Sequence, residues 1–199
     1  MIELLGKSLE ELQSIFKTHN IQKFRAKQLI DYIYHRYIFD FEDMTQFPKD
    51  LRQWLGDNCV ISLPTLITES IAPDGKTRKI LVEMSDQSRV EAVLMEQHYG
   101  YSVCVSSQVG CAMGCVFCAS TQGGLYRDLT VAEIIGQVVI FGALTKEEIH
   151  SVVVMGAGEP LQNYDNVLQA LQLLHDPMIC NISCLLYTSP SPRDMRRSR

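Results

Sequence analysis

Apolar positions along this chain change period twice, and the changes divide it. Over about residues 1–60 they recur at helical spacing. Ser8-Leu-Glu-Glu11 has the form of a capping box, with Leu12, Ile15 and Phe16 giving the apolar face of the helix it starts. A second helix is predicted from about Phe24 to Tyr37, with Leu29, Ile30, Ile33, Tyr34 and Tyr37 on one side. Pro48 precedes a short helix ending near Gly56, in which Trp54 reads as core. Residues 61–76 read as a linker, with Pro64 early and Pro73-Asp74-Gly75 at its end. Alternation then predicts strands Arg78–Met84 and Arg89–Met95 around the polar turn Ser85-Asp86-Gln87-Ser88, and a third strand Ser102–Ser106.

Beyond that the texture is α/β. Thr130-Val-Ala-Glu133 caps a helix that carries Ile134, Ile135, Val138 and Val139 inside. Ser151–Met155 is an uninterrupted apolar run of the kind buried on both faces of a parallel sheet. Gly156-Ala-Gly158-Glu159-Pro160 follows it, then a helix from about Tyr164 to His175. Strand, loop, helix, strand, loop, helix is the signature of a parallel sheet or barrel, whose chemistry gathers at the C-terminal ends of the strands. After about Ser183 no period survives. Two Ser-Pro pairs and a basic end read either as a disordered tail or, the preferred expectation, as foreign sequence joined to a truncated gene.

Composition narrows the classes. With 199 residues, 46% of them apolar, the chain can build a soluble core, and no apolar run approaches a membrane span. No charged-then-apolar leader marks it for export, so its seven cysteines point to a reducing compartment and to ligands or reactive thiols. A net charge of −5 predicts no general attraction to nucleic acid. Any RNA contact must come from a local patch such as Lys23, Arg25, Lys27 and Arg36, which composition alone reads as a solvated helix face.

The most specific chemistry lies in Cys111-Ala-Met-Gly-Cys115-Val-Phe-Cys118. Three thiolates on one tight loop can hold three irons of a four-iron, four-sulfur cluster and leave the fourth open to a small molecule, commonly S-adenosylmethionine. A zinc knuckle with a distant fourth ligand, or three unrelated buried cysteines, satisfy the spacing equally well. Phe117 adds an aromatic residue before the third cysteine. Gly158-Glu159 follows a buried strand one βα unit later, where glycines admit a ligand to the backbone and a carboxylate can pair with an ammonium.

The runs Ser102-Val-Cys104-Val-Ser-Ser-Gln-Val-Gly-Cys111, Cys118-Ala-Ser-Thr-Gln-Gly-Gly-Leu125, Glu133-Ile-Ile-Gly-Gln137 and Met155-Gly-Ala-Gly-Glu-Pro160 resemble the RlmN/Cfr family of radical S-adenosylmethionine RNA adenine methyltransferases. Lys23-Phe-Arg-Ala-Lys-Gln28 is similar to that family's N-terminal accessory domain. The resemblance covers about residues 3–183. It implies an α/β fold: the N-terminal part of a partial (β/α)6 barrel behind a small helical accessory domain that assists RNA binding. The domain plan is then residues 1–60 accessory domain, 61–101 linker and β-hairpin, 102–183 truncated barrel core and 184–199 foreign or disordered tail.

The resemblance also implies roles. Cys111, Cys115 and Cys118 would hold the cluster, and Gly158 and Glu159 would contact S-adenosylmethionine. Glu91 matches the proton acceptor; on a buried strand and unpaired, its carboxyl would titrate high, as suits a base. Cys104 matches the thiol that attacks a methylcysteine adduct and releases product by forming a disulfide. Without the family, Glu91 would be a strand-face charge and Cys104 a small buried hydrophobe. The implied reaction methylates C2 of adenosine in 23S ribosomal RNA and in tRNA beside the anticodon. A reductant protein such as flavodoxin would supply electrons to a cytoplasmic monomer with no membrane attachment. C8 methylation, or a non-catalytic RNA-binding module with a structural metal, are the alternatives. Cys59 reads as core, and neither Cys180 nor Cys184 matches the methyl carrier. The expectation is therefore an unfinished barrel that neither folds stably nor turns over.

Overall fold

The computed structural model describes residues 1–182; the tail expected at 184–199 lies outside them. The N-terminal module runs β1 (Ile2–Glu3), α1 (Leu9–Thr18), α2 (Arg25–Ile30), α3 (Lys49–Asn58) and β2 (Cys59–Val60). Both halves of the Ser8 capping box form, so α1 starts where the sequence places it. The expected helix 24–37 divides: α2 passes into a π-helical turn, Asp31–His35, which sets Tyr32, Ile33 and Tyr34 inward together. β1 and β2 pair in parallel, closing the module's ends onto each other. Trp54 is half-buried against the core, its ring 4.8 Å from that of His19.

A five-stranded sheet follows, in the order β3 (Thr65–Ile71), β4 (Thr77–Glu83), β5 (Arg89–Gln97), β6 (Gly100–Cys104), β9 (Ile149–Val153). The linker reading of residues 61–76 is corrected here, because Thr65–Ile71 within that stretch form the edge strand β3. Every residue of β3 is exposed, so it carries no inside–outside alternation for a sequence to display. Its β-branched content and seven-residue length are what pair it with β4. The first four strands are antiparallel, and β6 and β9 are parallel neighbours joined through α4 (Val131–Thr145). Between β6 and α4 a short hairpin, β7 (Gln108–Gly110) with β8 (Leu125–Asp128), frames the cysteine loop. It was not expected from the sequence, since a three-residue strand is too short for a period. α5 (Tyr164–His175) spans the predicted residues.

One sheet face is dry. Ile80, Val82, Val90, Ala92, Leu94, Val103 and Val152 are all buried there. α4 is buried nearly all round, with ten of its fifteen residues inside. Two of its glycines allow close approach, Gly136 by Pro64 just after the N-terminal module and Gly142 by Tyr37 within it. A Cβ on Gly136 would stand 2.6 Å from Pro64, and one on Gly142 would collide with the Tyr37 ring. The opposite sheet face carries Lys79, Leu81, Glu91, Val93, Cys104 and Val153, all exposed or half-buried.

Candidate cofactor and thiol site

Two loops leave the C-terminal ends of the parallel pair β6 and β9, and a set of buried polar side chains binds them together. Ser106, Ser107, Gln108, Gln137 and Asn163 are all buried, and each has hydrogen-bond partners. Gln137 on α4 accepts the Ser106 N–H at 2.8 Å and donates to the Ser106 carbonyl at 3.0 Å. Ser106 Oγ donates to the Glu91 carbonyl at 2.7 Å and accepts the Ala157 N–H at 2.9 Å, linking β5 to the glycine loop. Asn163 Nδ2 donates to the carbonyls of Ser107 and Leu129, each at 2.8 Å. Buried polar groups that are this fully satisfied fix a backbone path that apolar packing would leave loose. Sequence reading gave these residues no role, although four of the five stand inside the motifs it singled out.

The glycine loop lies directly on the β6 exit. Gly158 sits at φ +105, and a Cβ there would be 2.6 Å from Gln108 Cβ and 2.7 Å from Ser107 Oγ. Only glycine fits both the conformation and the space. Glu159 donates its N–H to Gln108 Oε1 at 2.8 Å, and its own Oε1 accepts the Leu161 N–H at 3.0 Å.

Cys111, Cys115 and Cys118 are free thiols on one loop, the first buried, the second exposed and the third half-buried. Gly114 at φ +67 and the Cys118 N–H donated to the Cys115 carbonyl at 3.0 Å form its turn. Cys111 is pinned by its N–H to the Gly124 carbonyl at 3.0 Å. Among the described residues no three His, Cys, Asp or Glu side chains are gathered closely enough to hold a metal ion, so the three thiols share a loop without converging. The donor set itself, three soft sulfurs within eight residues, fits an iron–sulfur group. Val116 and Phe117 stand fully out in solvent beside it, an apolar lip around the thiols.

Glu91 and Cys104 share the open sheet face. Register sets Cys104 opposite Val93, so Glu91 is its diagonal neighbour, about 7–8 Å away. Glu91 is neither buried nor unpaired, which corrects the sequence expectation. It alternates outward between Val90 and Ala92, and Lys79 Nζ donates to its Oε1 at 2.9 Å. Burial pushes the Cys104 thiol up, against a smaller lowering by the Met155 backbone.

Arg127 on β8 braces the hairpin from outside, at 2.7 Å from both Asp86 and Glu133. In the basic helix region, Arg25 is turned inward to the Gln46 carbonyl and Arg36 pairs with Asp31 at 2.6 Å. Lys23 and Lys27 are exposed and make no ion pair among the described residues.

Comparison with known proteins agrees with this arrangement. Residues 2–61 match the ribosomal RNA large subunit methyltransferase N-terminal domain, and residues 105–196 match the radical SAM superfamily. A probable dual-specificity RNA methyltransferase RlmN of Symbiobacterium thermophilum is 47% identical over 181 residues, 90% of this chain and 49% of that protein. Its counterpart in Clostridium perfringens is 43% identical over 182 residues, 92% of this chain and 52% of that one. Over both regions the chain is similar to the RlmN methyltransferases. A crystal structure of a radical SAM methyltransferase from Sphaerobacter thermophilus superimposes with a TM-score of 0.86 at 34% identity, covering 92% of this chain and 55% of its own. The chain thus spans about half the length of the relatives it matches. The match supports the mixed α/β fold read from the sequence, with a helical N-terminal part and part of a radical SAM domain.

Proposed function

We propose that this chain is the cofactor-binding half of a radical S-adenosylmethionine methyltransferase that acts on C2 of adenosine in 23S ribosomal RNA and in tRNA beside the anticodon. The observation that carries the reading is the joining of a three-thiol loop to a Gly158-Glu159 loop at the ends of adjacent parallel strands. Cys111, Cys115 and Cys118 would hold the four-iron cluster, and Gly158 and Glu159 would hold the methionine end of the cofactor, where a carboxylate can pair with the ammonium. When bound, cluster and cofactor would supply radical chemistry, which can reach a ring carbon that ordinary methyl transfer cannot.

The chain's own residues then divide the remaining work. Glu91 accepts the proton lost from the ring carbon, with Lys79 beside it. Cys104, on the same face, resolves the covalent adduct as a thiolate nucleophile: it attacks the carrier cysteine's sulfur to form a disulfide, and the sulfur–carbon bond breaks so that the carbon leaves with the electron pair and is protonated to the product methyl. Lys23 and Lys27 contribute phosphate contacts. A flavodoxin-like reductant serves the cluster, and the working enzyme is a cytoplasmic monomer. C2 is favoured over C8 by the similarity of Ala119–Leu125 and Gly158–Pro160 to the C2 branch, and the RlmN relatives are named as dual-specificity enzymes.

Anaerobic reconstitution tests the reading. About four irons per chain are expected, with an absorbance spectrum that S-adenosylmethionine perturbs. Stoichiometric zinc in place of iron, or a full cluster retained after Cys115→Ala, would overturn it in favour of a structural metal site.

A further inference from the structure

The two loops of the site are joined by one buried side chain whose orientation is dictated by a neighbour. Gln108 is completely buried at the first position of β7. Its Oε1 accepts the Glu159 backbone N–H at 2.8 Å, while its Nε2 donates to Asp128 Oδ1 at 2.7 Å. Gln108 and Asp128 are cross-strand partners at the base of the hairpin that carries the cysteine loop. An ionised carboxylate can only accept, so Asp128 forces the amide nitrogen toward itself and leaves the oxygen for Glu159. The same Gln108 stem fills the space that a Cβ on Gly158 would need, at 2.6 Å and 2.8 Å from its Cβ and Cγ. Contact and polarity therefore converge on one residue.

We propose that Gln108 is a positioning residue that sets the Gly158-Glu159 loop in register with the cysteine hairpin, with Asp128 as the group that orients it. The inference rests on the assignment of that loop to S-adenosylmethionine. It adds a relay, Asp128 to Gln108 to the Glu159 amide, through which the thiol loop and the cofactor loop hold a fixed separation. A hydrogen bond to a buried backbone N–H is directional, so its loss lets the loop lift while leaving the cysteines untouched.

Moving the carboxylate tests the relay. Gln108→Glu keeps the shape but sets two carboxylates against each other. In the double variant Gln108→Glu/Asp128→Asn the carboxamide and carboxylate exchange places, and Glu159 keeps an acceptor. Amide exchange over residues 156–162, measured by mass spectrometry on the whole chain, reads the loop without any cofactor. The single variant should exchange roughly tenfold faster there, the equivalent of one hydrogen bond, and the double variant should return near wild type. With the cluster reconstituted, iron content should be equal in all three proteins, while S-adenosylmethionine affinity falls roughly tenfold in the single variant and recovers in the double. Asp128→Asn alone should give an intermediate loss, which keeps the test decisive if Gln108→Glu fails to fold. Unchanged exchange in the single variant, a double variant as poor as the single, or iron loss that parallels the affinity loss would each overturn the proposal. If the wild-type chain takes up iron but ignores S-adenosylmethionine, the cofactor assignment falls, and the exchange comparison still decides for or against Gln108.

Discussion

A thiol's reactivity follows how much water it meets, and the cysteines here span that range. Cys59 is buried, and desolvation pushes its thiol up to about 11. Cys180 is pushed up to about 12, mainly by burial with Asp176 adding, which makes it a poor nucleophile. Cys104 is raised by partial burial, whereas Cys115 stands in solvent. Alkylation of the reduced, cluster-free protein should therefore label Cys115 first, Cys104 later and Cys59 and Cys180 last, as peptide mass spectrometry would show. The sign for Cys104 is fixed by its direction of shift: the thiolate forms only above the ordinary thiol range, so its labelling should still be climbing with pH there. Early labelling of Cys59 would mean that the N-terminal core opens readily. The cysteine spacing was legible in the sequence because ligands must sit close along a loop. The surroundings of Glu91 were not, because its strand neighbour Lys79 is twelve residues away. The polar residues around Ser106 escaped for the same reason: a buried glutamine acquires meaning only once its partners across the fold are known.

Among the elements, most of those with a period, a cap or an unbroken apolar run formed as read, although the helix expected over 24–37 divides. The capping boxes at Ser8 and Thr130 and the helix from Tyr164 formed as expected. The all-exposed β3 and the brief β7 and β8 did not declare themselves. α4 offers a sharp test, because glycine in a helix interior ordinarily costs about 1 kcal/mol against alanine. At Gly136 the added Cβ would press on Pro64 at 2.6 Å and approach Leu5 at 3.5 Å. Gly136→Ala should therefore destabilise the chain by about 1–3 kcal/mol, the range for an overpacked core, and lower the urea midpoint. A higher midpoint would show that Pro64 and Leu5 do not bear on α4 as described. The α2 region divides by the same logic of neighbours. Arg25 and Arg36 are engaged internally, so the RNA contacts proposed fall to Lys23 and Lys27. Replacing both lysines with Ala should weaken RNA binding and reduce the log–log salt slope by roughly one unit per lost contact. An unchanged slope would return these lysines to the solvated face that composition favoured.

At the scale of the whole molecule, the sheet is finished on one face and open on the other. The covered face holds the continuous core beneath α4, and the open face holds Glu91, Cys104 and the half-buried Leu81, Val93 and Val153. The parallel order of β6 and β9 was legible, because an apolar run after a capped apolar helix has few other homes. Among the described residues β9 has β6 as its only strand neighbour, so its outer edge is a row of unpaired backbone groups. Such an edge favours self-association, and the 199-residue chain should elute larger than a monomer as its concentration rises. The proposed chemistry adds a second requirement, a methyl-carrying cysteine facing Cys104 across the open face. None of the seven cysteines matches that motif, and Cys180 is both desolvated and placed beyond α5. This chain, reconstituted with iron and supplied with reductant and S-adenosylmethionine, should therefore leave adenosine unmethylated in treated ribosomal RNA and tRNA. Joining its first 183 residues to the C-terminal half of an RlmN relative should restore C2-methyladenosine, read by mass spectrometry of digested RNA. Robust methylation by the 199-residue chain itself would mean that Cys180 or Cys184 had taken the carrier role, and the division of labour across the open face would have to be redrawn.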